Sequence, residues 1–296
     1  MRFLLVFLSI LVISSVHARE VYYTQLVIKN GITYKSNSDN PFNGKSISYH
    51  PNSRLKESIT YVDGLKNGLY ETFYDNGQLN IKTTHRNGLY HGPYETFYIN
   101  GRLNIKTTHR NDLYHGPYEE YFSNGQIRIR TNYENGSENG PYMEYYRNGQ
   151  IRIDSYVVND GWHSSAHKTY HENGNLETIT TFFNDLNEGP YEEYFSNGNL
   201  KIKSTVQNGS WDGLYEEYFS NGNLKIKSTL QNGSWNGPWE EYYSDGNLKI
   251  KTTHRNDLYH GPYEEYFSNG QLKKKTTYQI GEEVGPCSSS MDYICK

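Results

Sequence analysis

Apolar and polar residues alternate with a period of two, in short runs that glycine keeps interrupting. In Pro190–Thr205, PYEEYFSNGNLKIKST, alternation puts Tyr191, Glu193, Phe195, Leu200 and Ile202 on one side of an extended chain. Glu192, Tyr194, Lys201 and Lys203 fall on the other. No apolar stripe at helical spacing survives, because glycine or proline breaks the chain every eight to fourteen residues. The pattern predicts strands. Asn197-Gly198 predicts a two-residue type I′ reversal between them, since both central positions of that turn need positive φ. That reversal sets Phe195 opposite Leu200, Tyr194 opposite Lys201, Glu193 opposite Ile202, Glu192 opposite Lys203 and Tyr191 opposite Ser204.

The hairpin recurs. Glycines at 77, 101, 125, 149, 174, 198, 222, 246 and 270 follow Asn or Asp at steps of 24 residues, with one step of 25 between Gly149 and Gly174. A second glycine series keeps the same time from Gly44 to Gly285, with its one gap in the 25-residue unit. About eleven units result, and Lys106–Gly125 and Lys251–Gly270 match at all twenty positions. The expected fold is all-β: an elongated, single-layer antiparallel meander, solenoid-like, of about eleven 24-residue β-hairpin repeats. At roughly 4.8 Å per strand, about 22 strands give a twisted ribbon on the order of 100 Å long.

Composition changes the picture in three ways. Leu, Ile, Val and Phe are too few for a thick core, whereas 30 tyrosines can stabilise a thin sheet through neighbouring strands. A formal net charge of −4 argues against a nucleic-acid partner, which calls for a clustered basic stripe. Residues 1–18 read as a signal peptide: Arg2, an apolar run Phe3–Ile13 too short to span a bilayer, and Val16-His17-Ala18 before the cut. The mature chain is then exported (periplasmic, envelope-associated or secreted) and not an integral membrane protein. Residues 19–43 form an N-terminal cap, 44–285 the repeats and 286–296 a C-terminal cap. Cys287 and Cys295 in that cap are candidates for a disulfide, with two free thiols as the alternative.

The connections carry aromatic-x-Gly-x-aromatic, as in Tyr90-His91-Gly92-Pro93-Tyr94, Trp211–Tyr215 and Trp235–Trp239. With EEYFSNGNLKIK following, the chain resembles the MORN repeat, most closely the MORN-variant repeats of bacterial proteins that include the YwqK-type antitoxins. The likeness covers Asn43–Pro286. It implies a β-hairpin repeat protein that acts by binding, with partners in the wider family ranging from proteins to membrane lipids. The antitoxin resemblance implies neutralising a toxin protein by direct contact; an export signal would carry the chain away from a cytosolic one.

Catalytic chemistry finds no constellation. Adjacent pairs such as Glu119-Glu120 point to opposite faces of a strand, and no nucleophile, phosphate-loop or cofactor motif is present. No enzyme activity, cofactor or metal is expected. His85, His91, His109, His115, His254 and His260 come from copies of one segment and read as loop-facing polar residues. His163, His167 and His171 stand four apart in the 25-residue unit; the extra residue reads as a bulge or bend, against a transition-metal site as the competing view. Asn135, Asn208 and Asn232 begin Asn-Gly-Ser sequons that read as turns. There remains a row of tyrosines, Tyr121, Tyr145, Tyr194, Tyr218, Tyr242 and Tyr266, expected on the charged face one hairpin apart. They are the candidate contacts for a macromolecular partner, most readily a protein. A carbohydrate or cell surface read by the tyrosine rows is the alternative, and a structural envelope spacer is another.

Overall fold

The computed structural model describes residues 20–163 and 166–285. Residues 1–18, which read as a signal peptide, and the two cysteines, Cys287 and Cys295, lie outside the described residues. Those described are almost entirely strand and turn, with one short 3-10 turn at Tyr23–Gln25 and no α-helix. The all-β hairpin meander expected from the sequence is what forms. The chain divides into two compact units, one up to Gly101 with His109–Asp112, the other Arg102–Thr108 with everything from Leu113 onward.

In the first unit, Gly44–Tyr49, Leu55–Val62, Leu65–Phe73, Leu79–Arg86 and Leu89–Phe97 pair in sequence, each antiparallel to the next. The meander is not purely antiparallel. Glu20–Tyr22 lies parallel to Gly44–Tyr49, reached by way of a separate hairpin of Leu26–Lys29 with Ile32–Lys35. Burial is the reason: this arrangement places Val21 and Phe42 against Ile59 and Tyr61 in a cluster of buried apolar side chains.

The second unit repeats one hairpin. Gly189–Tyr194 pairs with Leu200–Gln207, Gly213–Tyr218 with Leu224–Gln231, Ser234–Tyr242 with Leu248–Arg255, and Gly261–Tyr266 with Leu272–Gln279. Glu192 opposite Lys203, Glu193 opposite Ile202 and Tyr191 opposite Ser204 are as expected. The last two pairings are not. Tyr194 faces Leu200, and a bulge absorbs Lys201.

The cause lies in the turn. Gly198 N donates to Phe195 O and Phe195 N to Asn199 O, so three residues rather than two reverse the chain. Asn197 keeps negative φ and only Gly198 is left-handed, at +91°. This is the type I turn with a glycine bulge. The extra residue shifts the register by one beyond Glu193, which moves Leu200 to the charged face and Lys201 to the other. The type I′ reversals exist, but at the opposite ends of the strands: Asn208-Gly209 at +50° and +77°, and Asn232-Gly233 at +50° and +84°. Asn111-Asp112 and Asn256-Asp257 adopt the same turn without glycine.

The second glycine series has its own function. Gly213 holds φ +100°, and a Cβ there would come within 2.7 Å of Thr205 Oγ1, the hydroxyl that donates to Asp212 O. Strands Ser210–Trp211 and Gly213–Tyr218 are thereby split by one residue whose N–H still reaches Thr205 O at 3.0 Å.

Candidate interaction surface

One face of each regular hairpin carries a tyrosine, an acid and a base in fixed geometry. Tyr194 donates to Glu192 Oε2 at 2.6 Å while Glu192 Oε1 lies 3.1 Å from Lys203 Nζ. Tyr218, Glu216 and Lys227 repeat this at 2.9 and 3.2 Å, and Tyr242, Glu240 and Lys251 at 2.7 and 3.1 Å. Tyr266, Glu264 and Lys275 follow at 2.6 and 2.8 Å, and Tyr121, Glu119 and Arg130 at 2.7 and 3.2 Å. The tyrosine row thus stands on the face where alternation placed it, with every one of these hydroxyls held by the carboxylate two residues back on its own strand. Donating that bond to a carboxylate, together with partial burial, pushes Tyr194 up to about 12, and burial followed by the same bond does so for Tyr218 and Tyr242. The phenols therefore stay protonated donors, and Glu192, Glu240 and Glu264 are held below the usual carboxylate range by their tyrosine and lysine partners.

Tyr145 departs from the set: its hydroxyl lies 3.3 Å from Met143 Sδ instead of a carboxylate. Sequence reasoning also missed a member. Tyr170 pairs with Leu176 as Tyr194 pairs with Leu200 and belongs to the same row. Counting four residues back from the turn glycine, rather than forward from the unit's start, would have found it despite the extra residue.

The opposite face is an aromatic zipper. Tyr191 meets Trp211 edge to face at 4.9 Å, Tyr215 meets Trp235 at 5.0 Å, and Trp235 meets Trp239 at 4.9 Å. Beneath the rings runs a line of small buried hydroxyl residues, Thr131, Ser155, Thr180, Ser204, Ser228, Thr252 and Thr276, each at most 7% exposed. A large ring over a small residue is how so aliphatic-poor a chain fills this layer. The ends of this face carry a further set of ion pairs, such as Lys201 with Glu193 and Lys225 with Glu217, both at 2.6 Å, so both faces are charged.

A family profile described as MORN repeat variant matches residues 66–87, 114–135, 138–159, 166–184, 187–208, 211–232, 235–256 and 259–279. The chain belongs to that family. No curated protein matches it. Among solved structures, TcdB2-TccC3 overlaps 86% of this chain and 14% of its own length at 14% identity and a TM-score of 0.21. ASR alternansucrase in complex with isomaltononaose overlaps 78% and 18% at 14% identity and a TM-score of 0.20. The chain spans less than a fifth of either protein, and overlaps this slight say nothing about its function.

Within the MORN repeats three of the six histidines do not face loops. His85, His109 and His254 are buried at 6%, 8% and 8% exposure, at the register that Val206, Leu230 and Tyr278 occupy in sister repeats. His85 packs 5.1 Å from Tyr70 and 4.5 Å from Tyr90, and His254 sits 4.8 Å from Trp239. Strand alternation from Ile250 through Thr252 to His254 already pointed inward. Desolvation, aided by Lys66, lowers His85 from 6.5 to about 4, against a smaller opposing pull from Asp112; desolvation lowers His109 and His254 likewise. The unfolded chain therefore takes up protons first, so this contribution to stability is complete above pH 6.5 and falls as pH drops toward 4. For His85 alone the loss should reach about 2 kcal/mol by pH 5. His85→Tyr, matching Tyr61 and Tyr133 at that register, should flatten the decline in urea melts between pH 7 and 5; an unchanged slope would remove the assignment.

The three histidines of the 25-residue unit go separate ways. His167 is buried between Trp162 and Phe182, 4.9 Å from each, with Nδ1 2.8 Å from Ser155 Oγ. His171 Nε2 lies 2.9 Å from Tyr194 O, and His163 stacks near Phe183 at 5.3 Å. Among the described residues no group of three or more His, Cys, Asp or Glu could hold a metal ion. Adjacent glutamates lie on opposite faces as expected: Glu192 pairs with Lys203 and Glu193 with Lys201. The sequons at Asn135, Asn208 and Asn232 occupy left-handed turn positions.

Proposed function

We propose that the chain is a non-enzymatic, exported binding protein that engages a protein partner along the tyrosine face of its regular hairpins, Gly189–Gln279. The observation that carries this is repetition of one surface: the Tyr-Glu-Lys arrangement recurs four times with hydroxyl–carboxylate distances of 2.6–2.9 Å. Ring faces held by their own hydroxyl bonds lose little conformational freedom on binding, which suits tyrosine as an anchor. Flanking ion pairs at exposed sites add little stability but give the surface a fixed alternating charge that selects partners.

The finer reading is a YwqK-type antitoxin or immunity role against a toxin met in the envelope, supported by the repeat family and by the apolar run at Phe3–Ile13. The expected result is stoichiometric capture of one protein from envelope or culture fractions, lost when Tyr218→Ala and Tyr242→Ala are combined. Capture that survives the double change would place the contact elsewhere. A regular row of rings also suits extended sugar chains. A glycan-array signal abolished by the same two changes, with no protein captured, would favour that second reading.

A further inference from the structure

The charge ladder on the tyrosine face is interrupted once in the second unit, and the interruption is itself symmetric. Across six neighbouring strands the directly opposed residues run Arg130, Met143, Asp154, Lys168, Ile179, Glu192. In the regular hairpins the first strand carries the acid and the second the base. Here Met143 stands for the acid and Ile179 for the base, while Asp154 and Lys168 each carry the charge opposite to the usual one. Whereas Glu192 and Lys203 lie 3.1 Å apart, Asp154 and Lys168 form no ion pair among the described residues, although their strands pair directly. All four side chains of the interruption are half-buried on an otherwise charged surface.

We infer that this face is the contact of a two-fold homodimer whose axis runs parallel to the strands, between Asp154 and Lys168. Such an axis stacks two sheets face to face and lays each residue over the one equally far from centre on the other side. Asp154 then meets Lys168 of the second copy, and Met143 meets Ile179. Further out, Arg130 meets Glu192 and Glu119 meets Lys203, opposite charges each time. The tyrosine row obeys the same operation: Tyr145 comes over Leu176, and Tyr170 over Ile151.

A wholly regular acid–base ladder would fit a second copy of itself in many registers. The two apolar positions single one out, because a shifted copy sets Met143 or Ile179 against a charge and leaves that charge desolvated. The strands nearest the axis, which carry the substitutions, lie at the centre of this contact. This inference concerns the interrupted hairpins and does not depend on the partner proposed for the regular ones.

Sedimentation equilibrium of the purified chain reads it directly. The wild type is expected to be a dimer at micromolar concentration and low salt, loosening as salt rises. Asp154→Lys should weaken the dimer by about tenfold or more, since like charges then meet across the axis. Combining Asp154→Lys with Lys168→Asp should restore it, because opposite charges face each other again; Glu282→Lys, far from the axis, should change nothing. Circular dichroism checks that each variant keeps its strands. A monomeric wild type, or an exchanged pair no better than Asp154→Lys alone, would overturn the inference, as would equal weakening by Glu282→Lys.

Discussion

Trp235→Ala is expected to destabilise the second unit by about 3 kcal/mol, the cost of truncating a large packed aromatic ring. Trp235 lies edge-on between Tyr215 and Trp239, at 5.0 and 4.9 Å, and pairs across the strands with Leu230, which is 6% exposed. Its removal breaks two ring contacts and opens the layer beside Ser228, which is 2% exposed and pairs with Tyr215 and Trp239. Tyr242→Ala, on the charged face, should cost about 1 kcal/mol, because its ring is only half-buried and its hydroxyl bond is replaced by water. Urea unfolding followed by far-ultraviolet dichroism measures both. Equal midpoints for the two variants would mean that the rings over the Ser/Thr line are not the core of the repeats. Because each repeat touches only its neighbours, the loss should also appear as faster amide exchange concentrated in Gly213–Arg255.

Gly64→Ala should cost the first unit about 3 kcal/mol, from a different cause. Gly64 is the second residue of a type I′ turn, at φ +75°, and an added Cβ would lie 2.3 Å from Ile32 Cγ2 and 2.8 Å from Thr33 O. The surroundings cannot give way easily. Gly64 N donates to Phe42 O at 3.0 Å and Gly64 O accepts from Thr33 N at 2.9 Å, so the hairpin Leu26–Lys35 and the buried Phe42 are pinned at this point. The same change at Gly233, where a Cβ would meet nothing within 4 Å, isolates the conformational part of the cost and should amount to about 1 kcal/mol. Thermal melts that show equal losses at both glycines would mean that the docking of Leu26–Lys35 contributes nothing.

Strand positions, pairing order and the charged tyrosine face were legible in the sequence, because period-two alternation and a 24-residue repeat are strong signals that agree with one another. Turn type was not. Asn197-Gly198 and Asn208-Gly209 are the same dipeptide, yet one closes a three-residue loop and the other a two-residue loop. What separates them lies a repeat away: Asn197 Nδ2 donates to Ser220 O in the next hairpin, and Gly209 N donates to Asn187 O in the preceding one. A choice made by neighbours cannot be read from two residues. One wrong turn was enough to exchange the faces of Leu200 and Lys201. The buried histidines were misjudged for another reason. Histidine is polar by type, and it is the register shared with Val206 and Leu230 of sister repeats, where an apolar residue fills the same place, that shows it points inward. The symmetry of the interruption at Met143–Ile179 depends on a register across six strands and becomes visible only once that register is fixed.

The turn bonds have a consequence for how such a chain changes over generations. Asn173, Asn197 and Asn221 each donate to a main-chain carbonyl one repeat ahead, at Ser196, Ser220 and Ser244. Any residue supplies a carbonyl, so a newly copied unit arrives with its own donor and offers an acceptor to whatever precedes it. Unequal recombination can therefore lengthen or shorten the array without orphaning an interior bond, and lineages should differ in copy number more readily than in the make-up of a single turn.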